Sequence, residues 1–185
     1  MADLKKLLEA GDLAGFRAAV KADPAAARHP KVVNCAAALA NQKALDLLRR
    51  AGADLNGSYR NYRPLHNLLQ TDPHKAAGKP SAARLACLEW LLENGADPQL
   101  TAAWPSARAI IIAAFVGSRD YVAILRKRGA RIDGFAGAAL GDRKLVEKTL
   151  REHPAFVTER DSGVLTALHC AAGSRMPKVD LVAIA

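Results

Sequence analysis

The chain is poor in large rings. Only 5% of its 185 residues are aromatic, although 50% are hydrophobic. β-Branched and aromatic side chains favour strands, so the shortage argues against a large all-β sandwich. Cysteine is scarce as well. Cys35, Cys87 and Cys170 are odd in number, far apart and without a Cys-x-x-Cys pair. They read as small buried hydrophobes in a reducing compartment, the cytosol. No apolar run approaches the ~20 residues of a membrane span. The most hydrophobic window, Ala109 to Val116, has the length of a core helix. The start, Met1-Ala-Asp-Leu-Lys-Lys-Leu-Leu-Glu9, mixes charge with apolar residues and has no secretory signal pattern.

Catalytic motifs are missing too. There is no Gly-x-Gly-x-x-Gly, no phosphate-binding Gly-Lys-Ser/Thr loop, no Gly-x-Ser-x-Gly and no His-Glu-x-x-His. His169-Cys170 is adjacent in sequence, but neighbours on a helix point about 100° apart. No further ligands lie at zinc-site spacing. These absences point to a protein that is not an enzyme and that uses no metal or cofactor.

What the chain has is alanine, about a fifth of its residues, and base, with a net charge of +9. Alanine is the best helix former and offers little side chain, so an alanine-rich core implies helices that approach closely. At this length the chain is one domain or two small ones and needs no disulfides to bury a core.

It also has repeats. Ala51-Gly-Ala-Asp-Leu-Asn56 recurs as Asn94-Gly-Ala-Asp-Pro98 and as Arg128-Gly-Ala-Arg-Ile-Asp133. Each copy follows an amphipathic stretch: Ala44 to Arg50, Cys87 to Leu92, and Tyr121 to Leu125. The pattern predicts a helix whose glycine takes the left-handed position past its end. A second signature precedes these helices, as Arg63-Pro-Leu-His-Asn-Leu-Leu69 and Thr166-Ala-Leu-His-Cys-Ala-Ala172. The threonine can cap a helix, and proline is tolerated in the first turn.

These segments resemble the ankyrin-repeat motif Thr-Pro-Leu-His-x-Ala-Ala, and Gly95 to Gly129 is close to the ankyrin period of about 33 residues. The resemblance covers nearly the whole chain. It implies an all-α solenoid of stacked helix pairs with hairpin fingers, about five and a half repeats long. The expected units are 3–28, 31–56, 63–98 with an inserted loop at 71–81, 108–133, 134–157, and an incomplete 161–185. The first unit, with Lys5 and Lys6 outward, suits a terminal cap. The fifth follows the fourth so directly that its finger must be short or absent. The sixth reaches a second helix at Val179 to Ile184 and stops there. That end reads as a piece of a longer array, or as a face covered by a partner or by self-association.

In the family, His66 and His169 would be the motif histidines that hold finger to helix. His29, His74 and His153 show no partner in the sequence. Asp54, Asp97 and Asp133 follow the helix-ending segments and read as turn formers. Trp90 and Tyr121 fall at apolar helix positions and read as core. The resemblance further implies binding along the concave face and the fingers. The finger Asn56 to Arg63 carries two tyrosines and two arginines, the composition of an interface hot spot. The next, Gln99 to Ser106, carries Trp104. The expected partner contacts are therefore Tyr59, Arg60, Tyr62, Trp104 and Arg108, and the expected function is non-catalytic protein–protein interaction. Two alternatives stand beside it. Arg126-Lys127-Arg128, Arg131, Arg143-Lys144, Lys148 and Arg151, with Arg49-Arg50, could form a basic stripe for nucleic acid or an anionic surface. Or the array could target a catalytic domain beyond Ala185. Ala- and Arg-rich usage with Asp-Pro and Gly-Ala-Asp turns has a bacterial cast.

Overall fold

The computed structural model describes residues 3–70, 79–102, 106–162 and 164–176. Most of the inserted loop 71–81, His74 within it, Trp104 and the second helix expected at 179–184 lie outside them. The chain divides into two compact units, one of Met1–Asp72 with Ser81–Asp97 and the other of Pro73–Pro80 with Pro98–Ala185.

The first unit holds helices α1 (Leu4–Glu9), α2 (Leu13–Ala22), α3 (Pro24–Ala27), α4 (Pro30–Ala38), α5 (Gln42–Arg50), α6 (Pro64–Gln70) and α7 (Ala82–Glu93). The second holds a two-stranded antiparallel sheet, β1 (Thr101–Ala102) with β2 (Ala107–Arg108), in the register Thr101 opposite Arg108. It continues with α8 (Ala109–Val116), α9 (Arg119–Lys127), α10 (Gly134–Leu140), α11 (Arg143–Glu152), a 3-10 turn at Pro154–Val157, and α12 (Ala167–Gly173). The protein is thus mostly helical among the described residues.

Local chemistry sets where these helices start. Asp12, Asn41, Ser118, Asp133 and Asp142 each accept a hydrogen bond from the backbone N–H three residues on. That satisfies a donor the first helical turn leaves over. At α12 the cap is reciprocal. Thr166 accepts from the His169 N–H, and the His169 ring accepts from the Thr166 N–H. The expected capping role of Thr166 is therefore met by its own motif histidine.

Left-handed backbone sets where they stop. Gly52, Gly95 and Gly129 have φ of 86°, 96° and 84°, as the recurring Gly-Ala pattern predicts. The tight turns between paired helices use the same conformation at Gly11, Gly117 and Gly141, but at Ala40 in the α4–α5 turn, with φ of 51°. α10 begins directly after Asp133 with no intervening hairpin, where a short or absent finger is expected.

Packing then follows from small residues. In the first unit α4 lies against α1, α5 and α6, and α2 against α5. Ala36 and Ala37 on α4 are buried, as are Leu65 and Leu68 on α6, the helix it packs against. In the second unit α10 lies against α8, α11 and α12, with Ala113, Ala114, Ala136, Ala138 and Ala139 all buried. Tyr121 is buried as expected, whereas Trp90 is half-buried. Arg84 is an exception to the apolar rule. It is 5% exposed, and its guanidinium donates to the carbonyls of Ala38 and Leu68, in the last turns of α4 and α6. A cation there satisfies carbonyls that a helix end leaves over.

Successive helix-ending loops are joined by single side-chain amides. Within the first unit, Asn56 Nδ2 donates to the Gly95 carbonyl and Oδ1 accepts from the Asp97 N–H, both at 2.8 Å. Within the second, Gln99 Nε2 donates to the Gly129 carbonyl at 2.9 Å and Oε1 accepts from the Arg131 N–H at 3.2 Å. Asn56 and Gln99 each stand four residues after the left-handed glycine of their own loop. One amide supplies the donor and the acceptor that each step needs.

Candidate functional site

The finger of the first unit closes as a tight hairpin. Tyr59 and Tyr62 exchange backbone hydrogen bonds at 2.9 and 3.0 Å. Arg60 and Asn61 between them both sit at positive φ, 49° and 66°. Two left-handed residues in a row are the two-residue hairpin turn whose twist matches the strands. Asn-Gly or Gly-Gly would ordinarily occupy it, so an arginine there carries backbone strain of about 1–2 kcal/mol.

Helix α4 anchors the finger's base. Asn34 is 4% exposed and donates both to the Pro30 carbonyl at 2.9 Å and to the Gly57 carbonyl at 3.3 Å. Its Oδ1 accepts from Asn67 of α6 at 2.6 Å. The Arg63 guanidinium donates to the Asn56 carbonyl. Higher up, the His29 ring meets the half-buried Tyr59 edge-on at 5.7 Å between centroids. The Arg60 guanidinium lies over the same ring, 5.5 Å from its centre. That is within cation–π range.

Beside the finger is a hollow of about 460 Å³, bounded by α1, α4, α6 and the hairpin. Its lining includes Asn34 and Asn67, Tyr59 and Arg60 of the hairpin, and the charged Lys5, Glu9 and Lys31. Lys5 pairs with Glu9 at 3.1 Å. Cys35 also faces it, but burial pushes its thiol upward, away from a reactive thiolate.

The expected contacts therefore separate. Tyr59 and Arg60 line the hollow. Tyr62 is 36% exposed on the hairpin and does not line it. Trp104 lies outside the described residues. Arg108 is in the interior, which removes it from the candidate contacts. At 3% exposure its guanidinium bonds to Asp133 at 2.8 Å and to Asp161 at 3.3 Å. Burial alone would push the Asp133 carboxyl up. The hydrogen bond from Arg108, the Ala136 N–H and the nearby Arg131 outweigh that and hold it below the ordinary carboxylate value. Arg108 joins the start of α8 to the start of α10 and to the turn before α12, so its charge is committed within the fold.

The basic residues are partly neutralised. Asp46 takes Arg49 and Arg50, Arg131 takes Asp133, Arg143 takes Glu147 and Lys148 takes Glu152. Two histidines without partners in the sequence gain them in space. His29 Nδ1 accepts from the Lys31 N–H at 3.2 Å, and His153 Nε2 lies 2.6 Å from Glu159.

Residues of the hollow that the sequence did not single out, Lys5, Lys31, Asn34 and Asn67, come from three helices. Asn34 and Asn67 lie 33 residues apart in the sequence, on α4 and α6. No described helix is long and apolar enough to cross a membrane. No protein-family model matches the chain, and no curated protein matches it.

Proposed function

We propose that the helix pairs are ankyrin-type repeats and that the protein is a non-catalytic interaction module. It binds a partner protein through the finger at Tyr59 to Tyr62 and the adjoining hollow. The observation that carries this reading is the hairpin tip. An exposed arginine occupies a left-handed position that glycine would fill without strain, with its guanidinium held over Tyr59. Strain kept at an exposed, chemically distinctive side chain favours a role in binding over one in folding. The repeat reading is supported by left-handed glycines after α5, α7 and α9, by the Thr166–His169 cap and by the amide links between loops.

A cytoplasmic site of action fits three free thiols, of which Cys87 and Cys170 are buried. The basic-stripe alternative has less support, because Arg143 and Lys148 are engaged by acids one turn along their own helix.

Quantitative pull-down from native lysate tests the reading, comparing the wild-type chain with Tyr59→Ala/Arg60→Ala. Proteins enriched by the wild type should be depleted by the variant. A bound set that is unchanged between the two removes the finger from the function.

A further inference from the structure

We infer that the hollow beside the finger receives an acidic, extended segment of the partner, whose carboxylates are held by Lys31 and Arg60. This rests on the interaction reading above and supplies the chemistry of the partner.

The charges decide the class of ligand. The walls carry three cations, Lys5, Lys31 and Arg60, against one carboxylate, Glu9. Lys5 and Glu9 satisfy one another. That leaves Lys31 and Arg60, both exposed, with no ion-pair partner among the described residues. One comes from α4 and the other from the hairpin tip, so two separate elements bring unpaired positive charge to the same hollow.

Arg60 is also partly pre-ordered. Its guanidinium rests over the Tyr59 ring, and His29 packs on that ring's edge. A planar guanidinium presents a two-pronged donor that matches a carboxylate, and holding it in place beforehand lowers the ordering cost of binding. The volume suits a few residues of chain rather than a folded surface.

Single-stranded nucleic acid, the other anionic polymer, is bound by proteins that offer aromatic faces to successive bases. Among the described residues Tyr59 is the one aromatic side chain lining the hollow, and Arg60 already lies over one of its faces. A peptide needs no such platform.

The test uses a short fluorescein-labelled peptide alternating Glu and Ala, the same peptide with Gln for Glu, and a labelled oligo-uridine RNA. Each is titrated with the full chain at low salt and followed by anisotropy. The Glu peptide should bind, and the Gln peptide should bind about tenfold more weakly or worse. Lys31→Glu/Arg60→Glu should weaken the Glu peptide by about tenfold or more, and the milder Lys31→Gln/Arg60→Gln by several-fold. Arg126→Glu/Lys127→Glu, at the exposed end of α9, should change it by less than about twofold if the site is local. Far-UV circular dichroism confirms that each variant keeps its helices.

The proposal is overturned if the Glu peptide does not bind. It is overturned equally if Gln and Glu peptides bind alike, or if the α9 variant weakens binding as much as the hollow variant. RNA that binds more tightly than the peptide and loses affinity with the same substitutions would transfer the site to nucleic acid. If the peptide arm fails while Tyr59→Ala/Arg60→Ala still releases the natural partner, the acidic chemistry falls and the interaction surface stands.

Discussion

Replacing Arg108 by alanine should remove a large part of the second unit's stability. The Arg108 side chain is 4% exposed and is the ion-pair partner of Asp161, whose side chain is only 7% exposed. Arg108→Ala leaves Asp161 charged, buried and uncompensated. Asp133 fares better. It is 26% exposed and keeps Arg131 at 2.8 Å and the Ala136 N–H at 3.1 Å. Removing one member of a buried ion pair typically costs about 3–5 kcal/mol. With one carboxylate orphaned and the other still served, the expected loss is at the low end, about 3 kcal/mol. That is a large share of the ~5–15 kcal/mol that holds most domains together. Urea unfolding followed by far-UV circular dichroism measures it, with an unchanged slope as the sign that the folded and unfolded states are the same kind. A double-mutant cycle with Asp161→Ala isolates the pair. The two single losses should exceed the loss in the double variant by about 1–3 kcal/mol. The penalty should also depend on pH. Asp133 has a lower pKa folded than unfolded. Its contribution is complete above the unfolded value of about 3.9 and disappears as pH falls through the lower folded value. As pH falls toward the lowered folded value of Asp133, its share of the cost of losing Arg108 should shrink. Single losses that add to within about 0.5 kcal/mol, or a penalty that is the same at neutral and low pH, would refute the argument that charge compensation is Arg108's role.

Ala40→Gly should stabilise the first unit by about 0.5–1 kcal/mol, because it relieves a left-handed φ of 51° at the turn where Gly11, Gly117 and Gly141 serve elsewhere. Chemical denaturation reads it, and a destabilised variant would show that the strain is not at that residue. The cysteines should differ in reactivity. Burial pushes Cys87 and Cys170 up to about 12, while Cys35 is only half-buried. An aromatic disulfide reagent at neutral pH should label Cys35 first and reach the other two only on unfolding. Equal labelling of all three in the folded protein would contradict their placement.

The parts of the fold written in neighbouring residues were legible, and those that join distant ones were not. A glycine after an amphipathic stretch specifies its own left-handed turn, so Gly52, Gly95 and Gly129 could be read directly. Thr166 and His169 are three apart and complete one cap between them. Asp133 abutting Gly134 leaves no room for a hairpin, and none forms. Arg108 was misread because its partners lie 25 and 53 residues further on. Nothing near it in the sequence says that its charge is spent inside. Ala40 gives no sign of a left-handed turn, since alanine is at home in a helix. Another pattern is visible only afterwards. Gly11-Asp12 and Asp23-Pro24 flank α2 as Gly141-Asp142 and His153-Pro154 flank α11, and each proline opens a short extra turn. In the candidate site, Tyr59 and Arg60 were found through the composition of their hairpin. Lys5, Lys31 and the two asparagines were missed because helices far apart in sequence supply them.

The amide of Asn56 also bears on how the protein ages. Asn56 is followed by Gly57, whose unhindered backbone nitrogen is well placed in a loose chain to close on the side-chain carbonyl and release ammonia. Folding opposes this. The amide is tied at both ends, to Gly95 and Asp97, and the Gly57 N–H is turned toward the Asp54 carbonyl. Each unfolding event removes that protection. Hydrolysis of the ring leaves a carboxylate, which can still accept from the Asp97 N–H but can no longer donate to the Gly95 carbonyl. The damage would weaken the link that had prevented it and make the next unfolding event more frequent. Gln99 makes the corresponding link in the second unit with a longer side chain that closes less readily. Chemical wear at Asn56 would thus strike the base of the finger proposed to meet the partner.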